Sequence, residues 1–246
     1  MDKNPEHKLD EDAEARCAQF SAAGAVFVTP PAQLAARLAQ VRALVFDWDG
    51  VFNAGVKGQA SANSFSEADS MGTNMLRYGL WRRTKRLPVS ALISGEHNPG
   101  AIEFATREHF QHVYVGISDK RLAVEHLCAT HELAPHQIAC VFDDINDLGM
   151  AAMCGIRCLV RRPASPLLNH YVIERKLCDY ATGNDACNYA VREVCELLLG
   201  LMDAFDTVVA SRVDYDDRYR EYFVRRQADA TRTYVQRSGG VVEKAP

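Results

Sequence analysis

One stretch constrains this chain more than any other: Val41-Arg42-Ala43-Leu44-Val45-Phe46-Asp47-Trp48-Asp49-Gly50. An apolar run of strand length ends in two carboxylates one residue apart, and a glycine follows at once. Alternate residues of a strand share a face, so Asp47 and Asp49 converge if the extended backbone continues through Asp49. Two carboxylates that close repel, and one resists ionisation unless a cation lies between them. Parallel strands of α/β sheets end at the crevice where ligands bind. The stretch therefore predicts a metal-dependent site at the C-terminal end of a buried strand. A strand followed by an ordinary acidic turn is the competing reading, because Asp-Gly is a common turn pair.

The rest of the chain supplies a frame for such a strand. Apolar, non-alternating runs at Leu87–Ile93, His112–Ile117, Ile138–Phe142, Ile156–Val160 and Tyr180–Thr182 read as further strands. Helical patterns separate them at 69–86, 101–110, 120–131, 146–154 and 166–177, and a long helix is expected over 185–209. Strands of this kind are buried on both faces, as in a parallel sheet covered by helices. The predicted fold is α/β, a three-layer α/β/α Rossmann-like arrangement. Residues 1–40 read as an N-terminal helical arm, 41–210 as the main domain, and 211–246 as a C-terminal helical tail. Residues 50–66, rich in Gly, Ala, Ser and Asn, suit a short β-hairpin flap. In the tail, Tyr215, Tyr219 and Tyr222 form an aromatic stripe at helical spacing. It either packs on its own domain or docks on a neighbouring subunit.

Composition excludes several classes. A net charge of −4 gives no sign of a nucleic-acid binder. The start, Met1-Asp2-Lys3-Asn4-Pro5-Glu6, lacks the basic-then-apolar order of a signal peptide. No apolar run reaches the roughly 18 residues that a membrane helix needs. A soluble, cytoplasmic protein with no membrane partner is expected. Eight cysteines are scattered without a CxxC pair, which favours buried reduced thiols over a metal site.

Four strand ends carry polar groups of different kinds. Asp47 and Asp49 end the first, Ser94-Gly95 the second, Lys120 follows the third, and Asp143, Asp144, Asn146 and Asp147 follow the fourth. In one parallel sheet these ends line one edge. A carboxylate nucleophile, a second carboxylate, a hydroxyl, an ammonium and a further carboxylate cluster together suit phosphoryl transfer through an aspartyl-phosphate with Mg²⁺.

On these residues the sequence resembles the haloacid dehalogenase superfamily of phosphohydrolases. Phe46-Asp47-Trp48-Asp49-Gly50-Val51, Ile93-Ser94-Gly95, Lys120 and Phe142-Asp143-Asp144-Ile145-Asn146-Asp147 look like its four motifs. Gly116-Ile117-Ser118-Asp119-Lys120 and Ala190-Val191-Arg192-Glu193 resemble the cap-less branch of 3-deoxy-D-manno-octulosonate 8-phosphate and acylneuraminate 9-phosphate phosphatases. The resemblance implies Asp47 as nucleophile and Asp49 as general acid and base. It implies Ser94, Gly95 and Asn146 as phosphate or substrate ligands, and Lys120 as the neutralising cation. Mg²⁺ would be held by Asp47, Asp143 and the Asp49 carbonyl, with Asp144 and Asp147 behind them. A homotetramer acting on a small phosphorylated sugar or sugar acid is the implied assembly and substrate. Another small phosphate, such as a nucleotide or polyol phosphate, and a non-catalytic scaffold are the alternatives. Phe142, Asn53-Ala54 and Glu96 depart from that branch's pattern, and Glu96 puts an anion where the branch has arginine.

Overall fold

The computed structural model describes residues 5–56 and 65–244. In chain order the elements are α1 (Pro5–Ala22), β1 (Val26–Phe27), α2 (Pro31–Leu38), β2 (Ala43–Asp47), α3 (Glu67–Thr84), β3 (Val89–Ile93), α4 (Pro99–Arg107), β4 (His112–Val115) and α5 (Lys120–His131). Then come β5 (Ile138–Phe142), α6 (Leu148–Ala151), β6 (Ile156–Leu159), α7 (Pro166–Glu174), β7 (Tyr180–Ala181), α8 (Ala190–Leu201), α9 (Phe205–Asp214), α10 (Asp217–Gln227), β8 (Arg232–Arg237) and β9 (Gly240–Glu243).

The strands form one sheet in the order β1-β7-β6-β5-β2-β3-β4-β8-β9. From β7 to β8 every pairing is parallel, and only β1 and β9 run antiparallel at the two edges. β2 lies at the centre, and its alternation feeds two cores. Leu44 and Phe46 join the layer of α3, α4 and α8, whereas Ala43 and Val45 join the layer of α5, α6 and α7. Every β2 residue is buried, as its apolar sequence requires. The α/β expectation holds, with the Rossmann-like three layers in place.

Three expected boundaries change. The long helix over 185–209 is broken into α8 and α9, because Asp203 takes a left-handed conformation (φ 52°) that no helix accommodates. The N-terminal arm is not purely helical, since Val26–Phe27 pairs with β7 and adds an edge strand. The C-terminal tail is not purely helical either. Its helix ends at Gln227, and Thr233-Tyr234-Val235, residues suited to a pleated surface, pair with β4 in a hairpin closed at Ser238-Gly239. Two members of the tyrosine stripe pack on their own chain, whereas Tyr215 caps α9 in a left-handed conformation and stays exposed. Tyr219 and Tyr222 are buried against Tyr78, and the Tyr222 hydroxyl donates to the Asn74 carbonyl at 3.0 Å. The centre of the expected flap, residues 57–64, lies outside the described residues. Among the described residues no helix is long and apolar enough to cross a membrane.

Candidate active site

The parallel strands deliver the polar residues to one edge. Asp47 is the last residue of β2, Ser94 and Gly95 follow β3, Lys120 opens α5 after β4, and Asp143 follows β5. Trp48 turns the other way into the core, fully buried and stacked on Phe52 with ring centroids 5.3 Å apart. Asp49 then comes back toward the site, and its backbone bridges to Asn53. Gly50 is held at φ 88°, and a β-carbon there would strike the Asp143 carboxylate and the Arg162 guanidinium. Only glycine closes this turn against the site.

The cavity so formed holds about 330 Å³, within the ordinary range for small-molecule sites. Asp47, Asp49, Gly95, Lys120, Asp143, Asp144 and Asn146 all line it. Lys120 is buried and donates to Asp47 Oδ1 at 2.5 Å and also to Asp147 Oδ1. The second oxygen of Asp147 accepts the backbone N–H groups of Asp144, at 3.1 Å, and Asp143. Asp147 is thus committed to Lys120 and to the β5 loop. Asp144 caps the turn at Ile145, its Oδ1 accepting that N–H at 2.7 Å. Ser94 is buried, with its Oγ 3.5 Å from Asp49 Oδ2. Asn146 is exposed on the cavity wall.

Electrostatics define what this arrangement could hold. Carboxylate oxygens of Asp47, Asp143 and Asp147 lie within 4.8 Å of one another, and all three residues are buried. Burial, reinforced by Asp147, holds Asp47 well above the usual carboxylate range despite Lys120. The same two causes push Asp143 up to about 7, with Arg162 opposing. Burial acts to lower Lys120, but Asp47 and Asp147 outweigh it and raise it above its ordinary value. One buried ammonium therefore faces three buried carboxylates. Among the described residues Asp143 Oδ1 accepts from no N–H or hydroxyl donor. A buried anionic oxygen without a donor is costly, and a hard divalent cation with oxygen ligands is the group that would satisfy it.

No protein-family model matches the chain. The 3-deoxy-D-manno-octulosonate 8-phosphate phosphatase KdsC of Yersinia pestis is 32% identical over 178 residues, covering 69% of this chain and 86% of that protein. The chain belongs to this phosphatase family. A crystal structure of the Yersinia pestis phosphatase superposes with a TM-score of 0.58 at 30% identity, over 70% of this chain and 88% of the other. The Moraxella catarrhalis 3-deoxy-D-manno-octulosonate 8-phosphate phosphatase shares the fold, with a TM-score of 0.60 at 24% identity over 73% of this chain and 97% of that one. That structure is a complex with a magnesium ion, a phosphate ion and the sugar acid. The resemblance read from the four motifs is thereby borne out, and the chain is a phosphatase of the haloacid dehalogenase superfamily.

Three residues around the phosphatase site escaped the motif reading. Asn98 sits at the start of α4 but makes no capping bond to that helix. Its amide instead donates to both oxygens of Asp49, at 3.2 and 3.3 Å, from a buried position. Arg162, just past β6, pairs with Asp143 and lies 4.0 Å from Asp144. Gln236, on β8, accepts from the Ser118 N–H at 2.9 Å and the Ser118 hydroxyl at 3.0 Å. The Asn98-Pro99 pair marks a helix start in the sequence. Which carboxylate the asparagine reaches is a tertiary matter that spacing does not reveal.

Proposed function

We propose that this chain is a Mg²⁺-dependent phosphomonoesterase that hydrolyses a small phosphorylated sugar through an aspartyl-phosphate on Asp47. The observation that carries the reading is the buried triad of Asp47, Lys120 and Asp143, in which the ammonium touches the nucleophile and the Asp143 Oδ1 atom is left for a cation. Asp47, Asp143 and the Asp49 carbonyl would hold Mg²⁺, which offsets the repulsion between an anionic nucleophile and an anionic phosphate. Asp47 attacks phosphorus and Asp49 gives its proton to the departing sugar oxygen. Asp49 then takes a proton from the water that cleaves the acyl phosphate. Lys120, Ser94 and the N–H of Gly95 hold phosphate oxygens, with Asn146 on the substrate side. Asp147 keeps Lys120 charged and in place, and Asp144 shapes the loop through its Ile145 contact.

Phosphate release from p-nitrophenyl phosphate and a panel of sugar phosphates tests the reading. Turnover is expected with Mg²⁺ and is lost in a chelator. Calorimetric Mg²⁺ titration adds a pH test. Without the cation Asp143 keeps its proton up to about 7, so proton and metal compete for it. Affinity should weaken as pH falls through about 7 and strengthen above it. Metal-independent turnover, or none on any ester, rejects the proposal.

A cytoplasmic homotetramer is the assembly and location we propose, on the family likeness. Light scattering reads the first directly, and a monomeric mass rejects it.

A further inference from the structure

β4 ends at Val115, and residues 116–119 carry the chain from the sheet into α5, whose first residue is Lys120. Successive N–H groups of this loop go to different anchors. Gly116 donates to the Glu96 carbonyl at 3.0 Å, and Ile117 to the Ser94 carbonyl at 3.2 Å. Ser118 donates instead to a side chain of the C-terminal hairpin, Gln236 Oε1 on β8, at 2.9 Å. The Ser118 hydroxyl donates to the same oxygen at 3.0 Å. The loop is therefore held by main chain from the β3 side and by one side chain from the β8 side. Ser118 is exposed, so without Gln236 its N–H would turn to water and leave the loop untied there.

Packing fixes where Gln236 stands. Tyr234 is paired with Tyr114 across the parallel ladder, and their rings stack with centroids 5.0 Å apart. Tyr234 also meets the His126 ring of α5 at 4.7 Å, buried in the core layer that α5 covers. Alternate residues of a strand share a face, so Gln236 points to the α5 side as well. It lies one residue beyond the last rung shared with β4, Val115 and Val235. The ladder sets its height and Tyr234 sets its face, and together they bring the amide to Ser118.

Lys120 follows two residues after Ser118. Its ammonium sits between Asp47 and Asp147, 2.5 Å from Asp47 Oδ1. The Asp119 side chain accepts the Arg121 N–H at 3.1 Å and ties the end of the loop to the first turn of α5. A shift of the loop therefore moves the helix start that carries the ammonium. We infer that Gln236 is a positioning residue for the reaction: by holding Ser118 it fixes Lys120 against the nucleophile and the phosphate. This rests on the phosphatase reading above and extends its machinery to the C-terminal hairpin. Gln236 does not itself line the cavity, so it acts on the phosphoryl centre and not on the departing group.

Gln236→Leu keeps the size of the side chain and removes the acceptor. Assayed well below its unfolding midpoint, it should lower kcat/KM about fivefold to tenfold, because a small displacement of a catalytic charge is costly. The loss should be the same, within about twofold, on p-nitrophenyl phosphate and on sugar phosphates. Gln236→Asn, one methylene short, should fall with it, and serves in its place if leucine lowers the midpoint. Gln236→Glu keeps the length and the acceptor oxygen. At an ionic strength that screens its charge it should return to within about twofold of wild type. Leucine and asparagine variants as active as wild type overturn the inference. So does a loss confined to sugar phosphates, which would mean a contact with the leaving group, or a loss that glutamate does not restore. Mg²⁺-dependent turnover of p-nitrophenyl phosphate by the wild type in the same preparation leaves the phosphatase reading standing in each of these cases. Absence of that turnover removes both.

Discussion

Asp47→Asn is expected to cost at least about a thousandfold in kcat, equivalent to about 4 kcal/mol of barrier. An amide of the same shape keeps the packing but cannot attack phosphorus, so the covalent route closes. The fold should survive. Asp47 is a buried carboxylate whose ionisation burial and Asp147 oppose, and Lys120 keeps Asp147 as a partner. Unfolding midpoints close to wild type, with product formation below a thousandth, are the expected pair of results. Activity within tenfold of wild type would exclude Asp47 as nucleophile. Asn98→Ala offers a graded contrast, because it frees Asp49 to leave its bonded geometry without removing it. A loss of about tenfold or more is expected on sugar phosphates. The loss should be smaller on p-nitrophenyl phosphate, whose phenolate departs without a proton. An equal loss on both would show that Asn98 acts on something other than proton transfer.

Glu108→Ala is expected to destabilise the protein by about 3–5 kcal/mol. Glu108 closes α4 in the core, where its carboxylate accepts from Ser70 Oγ at 2.5 Å and from Arg226 at 2.6 Å. Its carbonyl accepts from Arg77 at 2.6 Å. Arg77 is fully buried, and Arg226 is nearly so. Removing the carboxylate leaves the Arg226 guanidinium in the interior without its ion-pair partner, while Arg77 keeps the Glu108 and His109 carbonyls and has Asp229 nearby. The Ser70, Glu108 and Arg226 contacts join α3, the end of α4 and α10, so the loss should appear as one cooperative shift of the urea midpoint rather than local fraying of α10. Replacing Glu108 and Arg226 together by leucine and methionine should recover much of the stability, since no charge is then stranded. A single-variant loss below about 1 kcal/mol would mean that water reaches the arginines. Activity need not follow stability, because Ser70, Glu108 and Arg226 do not line the site cavity.

The strand ends were legible because burial on both faces leaves no freedom. Leu44 and Phe46 face one core and Val45 the other, and the first polar residue marks the sheet edge. Asp47, Ser94 and Asp143 follow from that rule, and Lys120 opens the helix after β4, behind Ser118 and Asp119. Asn98 and Arg162 do not follow from it, because loops have no period. Each matters through a partner far away in sequence, Asp49 and Asp143 respectively. The tail misled for a related reason. The helical spacing of Tyr219 and Tyr222 is real within α10, but Tyr215 stands outside it in a left-handed turn after α9, and spacing says nothing of where a pattern starts or stops. Thr233-Tyr234-Val235 becomes a strand only because β4 offers an open edge.

That hairpin bears on how the molecule is made. Ser118 and Gln236 are 118 positions apart, and the loop between β4 and Lys120 is braced only when both are present. During synthesis the floor of the site can assemble while β4 still presents bare backbone groups, a surface open to another chain. The brace arrives with β8 and covers that edge in the same event. A translation product interrupted before Arg232 would keep the catalytic residues yet carry a sticky margin and a slack loop. The ribosome thus delivers aggregation resistance and the finished site together, as a single late step.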